Sequence, residues 1–162
     1  MVRLTIDGTP VSVPEGTTIL NAAREAGITI PTLCELKGLN EIGACRVCVV
    51  KVEGEDRFPA SCTTPVAEGM EVRTNTPEVV TARRSNVKMI LSEHRSECTS
   101  CLRADTCALQ QISRDLGAWN LPFPSNQTKA GDWDHDFPLR RDSSKCIKCM
   151  RCVSVCEKNQ HC

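Results

Sequence analysis

Apolar and polar residues alternate from Val2 to Val13, with Val2, Leu4 and Ile6 on one face, a polar break at Asp7-Gly8, then Val11 and Val13. Period-two alternation interrupted by Asp-Gly predicts a β-hairpin. The period then changes. Glu15-Gly16-Thr17-Thr18 offers an N-cap to the segment Ile19-Leu20-Asn21-Ala22-Ala23-Arg24-Glu25-Ala26, and Gly27 is placed to close it, so a short amphipathic helix is expected. Strand character returns at Val49-Val50-Lys51-Val52, with a turn at Gly54, and again at Met70-Glu71-Val72-Arg73-Thr74. Together these elements predict a small mixed α+β sheet domain over residues 1–76.

A different regime begins at Thr76-Pro77. Pro77 suits the first position of a helix, and Val79, Val80, Val87, Ile90 and Leu91 recur at spacings that one side of a helix collects. A helical second domain is expected over 77–117, ending in Ala108 to Leu116 with Gly117 as its stop. Residues 118–141 carry prolines and little periodicity and read as an extended linker, in which His135 among Asp132, Asp134 and Asp136 is solvated. The last stretch, 142–162, forms a third region.

Composition changes this picture in one respect. Twelve of the 162 residues are cysteine, while aromatic residues are few, so a small core would gain from covalent or metal staples. Lys+Arg and Asp+Glu are 20 each, which leaves no net basic field to hold nucleic acid or an anionic membrane. No run of about 18 apolar residues and no charged leader before an apolar stretch occurs, so neither a membrane span nor a secretory signal is expected. The chain is therefore expected in the cytoplasm, where clustered cysteines bind metal more often than they form disulfides.

The cysteines fall into three groups. Cys34, Cys45, Cys48 and Cys62 are spaced C-x10-C-x2-C-x13-C, and small residues such as Gly43 and Ala44 let backbone N–H groups approach inorganic sulfide. Four thiolates so arranged fit a [2Fe-2S] cluster; zinc, whose ligands more often come as two close pairs, is the alternative. His94, Cys98, Cys101 and Cys107 are spaced H-x3-C-x2-C-x5-C, a pattern equally good for zinc on spacing alone. Cys146-x2-Cys149-x2-Cys152-x3-Cys156 is the run that folds around [4Fe-4S] clusters in bacterial-type ferredoxins, where the fourth cysteine serves the other cluster. Cys146, Cys149 and Cys152 therefore need a fourth ligand, and Cys162 stands at no familiar spacing. We expect the chain to be part of a longer subunit.

Three such motifs in this order resemble the N-terminal iron–sulfur portion of one superfamily. It is shared by the large subunit of NAD-linked and electron-bifurcating [FeFe]-hydrogenases, the large iron–sulfur subunit of NADH:quinone oxidoreductase, and NAD-dependent formate dehydrogenases. Ile30-Pro31-Thr32-Leu33-Cys34, Leu39 to Cys48 and Thr63-Thr64-Pro65-Val66 look most like the hydrogenase branch. The resemblance implies a plant-type ferredoxin-like β-grasp domain (1–76), a small helical domain with one histidine and three cysteine ligands (77–117), a linker (118–141), and the first half of a bacterial-type 2[4Fe-4S] ferredoxin domain (142–162). It implies that Cys34, Cys45, Cys48 and Cys62 bind [2Fe-2S], and that His94, Cys98, Cys101 and Cys107 bind [4Fe-4S]. Cys146, Cys149 and Cys152 would bind a further [4Fe-4S] cluster, and Cys156 a second one in that domain.

The implied function is stepwise electron transfer between a flavoprotein that oxidises NAD(P)H and a distant catalytic site or a soluble ferredoxin. Implied partners are that FMN-bearing iron–sulfur subunit and a thioredoxin-like [2Fe-2S] subunit. No G-x-G-x-x-G fingerprint or P-loop occurs, so nicotinamide and flavin sites are expected elsewhere and no catalytic residue is expected in these residues. A non-redox, zinc-stapled interaction module is the competing class.

Overall fold

A computed structural model describes residues 1–120 and 142–160 of the chain. Most of the expected linker, with His135, and the terminal His161 and Cys162 lie outside the described residues. The chain divides into two compact units: Met1–Arg83 joined by the described residues from Cys149 on, and the described part of Arg84–Lys148.

In the first unit, strands β1 (Val2–Ile6) and β2 (Thr9–Val13) pair antiparallel, with Val2 opposite Val13 and Ile6 opposite Thr9. Their turn places Asp7 at φ 49° and Gly8 at φ 83°. Two successive left-handed residues make the tight turn whose twist matches the strands it joins. Asp7 has a second use, since its carboxylate accepts from the Thr74 N–H (2.8 Å) and the Thr74 hydroxyl (2.5 Å). That fixes the end of β4 (Glu71–Arg73), which runs parallel to β1 with Ile6 opposite Val72, while β3 (Lys51–Val52) pairs antiparallel on its far side. The sheet order is β2-β1-β4-β3.

A parallel pair requires a long crossover, and here it carries helix α1 (Ile19–Glu25) and the first cysteine group. Thr18 caps α1 by accepting from the Asn21 N–H, as the sequence predicts. Ile19, Leu20, Ala22 and Ala23 of the helix bury against Leu4, Ile6, Val13, Val50 and Val72, and Cys48 and Cys62 belong to the same core. Each large aliphatic side chain so buried contributes about 1.5–3 kcal/mol.

The strand expected over Val49–Val52 is half as long as its apolar run. Val49 bridges Ala60 instead, the Val50 N–H donates to Pro59 O, and the Ser61 N–H donates to Cys48 O. The backbone hydrogen bonds that a longer β3 would have made to β4 thus bring residue 62 back beside residue 48.

Helix α2 (Pro77–Glu93) starts with Pro77 in its first turn and the Thr76 hydroxyl accepting from the Val79 N–H. Its buried stripe is Val79, Arg83, Val87 and Leu91, so a guanidinium occupies a position where the periodicity calls for an apolar side chain. In the second unit, two single 3-10 turns (Cys98–Ser100 and Ala104–Thr106) lead into α3 (Ala108–Asp115), which closes at Gly117 with φ 59°. Arg84 ties α2 to α3 by donating to Leu116 O at 2.7 Å. Residues beyond Met150 form α4 (Arg151–Val155) and a π-type turn over Cys156–Gln160. Among the described residues no helix is long and apolar enough to cross a membrane.

The strongest side-chain tie in the first unit is bidentate: Arg24 Nη1 and Nη2 reach Glu35 Oε1 and Oε2 at 2.9 and 2.8 Å. Glu35 is buried, and the Arg24 guanidinium holds its carboxyl below the usual range. Arg24→Gln should leave that carboxylate poorly satisfied and lower stability by about 1–2 kcal/mol, read as a reduced urea midpoint at neutral pH. An unchanged midpoint would show that solvent replaces the guanidinium without loss.

Candidate metal centres

The first group is assembled from both ends of the crossover. Cys34, Cys45, Cys48 and Cys62 are all buried, and the thiols come as two pairs. Cys48 Sγ and Cys62 Sγ stand 3.4 Å apart, and Cys34 is hydrogen-bonded through its thiol to Cys45, whose N–H also donates to Cys34 Sγ at 3.4 Å. The hydrogen bond within each pair lowers one thiol, Cys45 beside Cys34 and Cys48 beside Cys62, to about 6, and the same bonds with burial push the other thiol of each pair up. Among the described residues no three His, Cys, Asp or Glu side chains converge on a point that one ion could hold. Two pairs of thiols could serve the two metals of a binuclear cluster, one pair to each.

Backbone geometry supports the same use. Gly43 has φ 65°, and its backbone N–H hydrogen-bonds Cys62, partly opposing the rise that Cys48 and burial impose on that thiol. Four non-glycine residues adopt positive φ among the described residues: Asp7 in the hairpin, then Arg46 (53°), Lys148 (53°) and Met150 (63°). The last three each lie between the cysteines of a C-x2-C step. Such a turn reverses the backbone so that N–H groups face an anion, as the Lys148 N–H does toward Cys146 Sγ at 3.4 Å. The strain is local to the cysteine loops.

Two further groups near the first site were not legible as site residues. Arg83, 4% exposed, donates Nε and Nη2 to Val49 O at 3.1 and 2.7 Å. Burial lowers its pKa, and the negative charge of Cys48 opposes that effect. No carboxylate forms a salt bridge with it among the described residues. Ser61 Oγ is a buried hydroxyl with no nitrogen or oxygen partner, and it helps keep Cys48 ionised. A buried cation and a buried hydroxyl close to Cys48 both favour negative charge at this site.

In the second group, Cys98 and Cys107 line one cavity of about 650 Å³ with Ala104, Gln110 and Arg114, while His94 and Cys101 are not among its lining residues. Cys107 also caps α3, accepting from the Gln110 N–H at 3.5 Å. His94 follows the end of α2. Burial is the main cause that lowers its pKa, with nearby Lys145 adding to it, so the ring is held neutral as a metal ligand must be. In the third group, Cys152 and Cys156, one turn apart, share a cavity of about 570 Å³ with Val153 and Glu157. None of the eleven cysteines among the described residues forms a disulfide.

Free, clustered thiols in strained, N–H-lined loops on a mixed helix-and-sheet framework define an iron–sulfur protein. Its residues 1–77 match the family of 2Fe-2S iron–sulfur cluster binding domains, 83–120 the NADH-ubiquinone oxidoreductase-G iron–sulfur binding region, and 139–159 a 4Fe-4S binding domain. The chain is 41% identical to the NADP-reducing hydrogenase subunit HndD of Solidesulfovibrio fructosivorans, across 100% of this chain and 28% of that one. It is 36% identical to the G 2 subunit of NADH-quinone oxidoreductase from Rhizobium meliloti (strain 1021), across 98% of this chain and 19% of that protein. The chain thus spans less than a third of the length of either relative. A chain in the crystal structure of an NAD+-reducing [NiFe]-hydrogenase in the H2-reduced state superimposes with TM-score 0.84 at 29% identity, covering 96% of this chain and 65% of that one. The chain belongs to the iron–sulfur region shared by NAD(P)-reducing hydrogenase subunits and the G subunits of NADH-quinone oxidoreductases.

A Cβ on Gly43 would stand 3.3 Å from Thr63 Cγ2, in a conformation that L-residues avoid. Gly43→Ala should therefore cost about 1–2 kcal/mol, read as a lowered thermal midpoint, whereas Gly54→Ala has open space and should show the smaller loss due to φ alone. Equal losses at both positions would show that the approach of residue 43 to the Thr63 turn is not a close constraint.

Proposed function

We propose that this chain is the electron-conducting iron–sulfur segment of an NAD(P)-linked oxidoreductase of hydrogenase type, with no substrate-converting site of its own. The observation that carries this reading is the first group: two buried thiol pairs, with the Arg83 guanidinium bonded to the carbonyl that follows Cys48. In it Cys34 and Cys45 hold one iron of a [2Fe-2S] cluster and Cys48 and Cys62 the other. His94, Cys98, Cys101 and Cys107 hold a [4Fe-4S] cluster. Cys146, Cys149 and Cys152 hold a third, with Cys156 committed to a fourth. Clusters of these kinds take up and release single electrons when bound.

The chain's own residues supply the rest. The thiolates at Cys45 and Cys48 ligate without first losing a proton at neutral pH, the loop N–H groups hydrogen-bond sulfur, and the apolar core keeps water from the first site. Residues 1–76, 77–117 and 142–162 are the three modules in this reading, the first with the β-grasp arrangement that order β2-β1-β4-β3 and a helical crossover support. Its neighbours in a cytoplasmic complex are an NAD(P)H-oxidising flavoprotein and a small [2Fe-2S] subunit, and the nicotinamide-reducing activity in the relatives' names supports the first of these. The likeness to a quinone oxidoreductase supports a second reading, in which the same segment delivers electrons towards a quinone.

Iron and acid-labile sulfide analysis, with EPR of the reduced protein, tests the reading. One [2Fe-2S] signal together with [4Fe-4S] signals is expected, and zinc in place of iron would overturn it. His94→Cys should keep its [4Fe-4S] cluster at a lower potential, because a thiolate adds a negative charge that imidazole lacks, while His94→Ala should lose or convert it. An unchanged redox titration in both variants would remove His94 from the ligand set.

A further inference from the structure

Asn40 is fully buried, and its side chain meets the first thiol site at a backbone carbonyl and no sulfur. Its Nδ2 donates one N–H to Cys34 O at 2.7 Å and the other to Cys149 O at 2.9 Å, and its Oδ1 accepts from Ser154 Oγ at 2.7 Å. Its backbone is equally engaged, the N–H donating to Leu36 O at 2.7 Å and the carbonyl accepting from the Leu36 N–H at 3.0 Å. Both donors and the acceptor of the amide are therefore in use, the condition under which a buried polar group rigidifies its surroundings.

The identity of the partners matters. Cys34 and Cys149 serve different clusters in the proposed function, and one nitrogen joins their carbonyls. A second strut runs beside it: Arg151 Nε donates to Cys34 O at 3.1 Å and Nη2 to Glu35 O at 2.8 Å. Cys34 O thus accepts from both residues, and the Cys149–Ser154 segment is fastened to the loop that carries Cys34 through Cys149, Arg151 and Ser154. A buried, fully satisfied amide that merely filled space could be replaced by an apolar side chain at little loss. This one sets the separation of two ligand-bearing backbones and supplies a continuous bonded path between them.

We propose that Asn40 is the positioning residue for electron exchange between the cluster held by Cys34 and the cluster held by Cys149. Its amide fixes their spacing and bridges the gap from the carbonyl of one ligand to that of the other. A single electron passes in either direction, one cluster being oxidised as the other is reduced, with no proton or bond transferred. This role rests on the proposed ligand sets of the two clusters. Two sites far apart in sequence are thus joined by that amide, with Arg151 as a parallel strut.

The test uses the cluster-loaded full chain. Asn40→Asp is isosteric and keeps the acceptor for Ser154 but removes both N–H groups and sets a carboxylate oxygen against two carbonyls. Iron and sulfide content are measured first, then the spin–spin interaction between the two reduced clusters by pulsed EPR, and their electron exchange after flash reduction. Full cluster content with exchange slowed about tenfold and a weakened spin–spin interaction is expected, the size of effect that losing a buried hydrogen-bond pair allows. Full content with unchanged exchange and interaction would overturn the proposal. If Asn40→Asp does not assemble, Ser154→Ala leaves every ligand and both Asn40 donors in place and frees only Oδ1. It should slow exchange about threefold, and an unchanged value overturns the proposal by that route. A wild-type chain that carries zinc would defeat the ligand sets themselves, an outcome separate from intact clusters that ignore Asn40.

Discussion

Thiolates packed together in an apolar space repel one another and lose their hydration, so the first site depends on how negative charge near Cys34, Cys45, Cys48 and Cys62 is balanced. Three devices meet that demand. Contact within each pair favours ionisation of one thiol, Cys45 beside Cys34 and Cys48 beside Cys62, over ionisation of both. Backbone N–H groups of the loop point at sulfur, which requires left-handed backbone at Gly43 and Arg46. Arg83 brings a buried positive charge to the carbonyl that follows Cys48. A buried guanidinium without an ion-paired carboxylate is destabilising in isolation, and the charges of Cys48 and Asp7 oppose that effect of burial.

The framework follows from that demand. The hairpin and the parallel β4 make a short sheet whose crossover is free to be loop, and the loop is where the cysteines lie. Helix α1 covers the sheet with small residues, Ala22 and Ala23, and uses its last turn to hold Glu35 through Arg24. Shortening β3 to Lys51–Val52 gives up sheet hydrogen bonds so that the 59–62 segment can return to Cys48. The sheet is small because its task is to fix two ends of a loop.

The hairpin, the capped helix α1 and the start of α2 at Pro77 were legible because each is written locally: period-two alternation, a Thr cap three residues before an N–H, and a proline at a first turn. Of the cysteine groups read from spacing, the structure brings together Cys34, Cys45, Cys48 and Cys62, and it places Cys98 with Cys107 and Cys152 with Cys156. Arg83 was not legible, since at i+4 from Val79 and i−4 from Val87 an arginine reads as a break in an apolar stripe, and its partner is a carbonyl 34 positions away. Arg46, Lys148 and Met150 were equally hidden, because no local signal distinguishes a left-handed arginine from an ordinary one. Asn40 carried no site signal in the sequence, and its backbone closes a turn on Leu36 while its side chain reaches residues more than 100 positions away.

Sequence order also misleads about neighbourhood. The third cysteine group begins in the second unit with Cys146, but from Cys149 onward the chain belongs with the first. Arg151 and Cys34 are 117 positions apart and hydrogen-bonded, a separation that places the interaction beyond any local rule. The loop-closure cost of such a contact grows only slowly with chain length, so a few well-satisfied polar bonds can hold it. Polar bonds are better suited to that task than apolar packing, because a hydrogen-bonded amide has one geometry whereas an apolar surface has many. If two redox sites must keep a fixed spacing while the chain between them forms another unit, directional bonds from Asn40 and Arg151 are the most direct way to specify it.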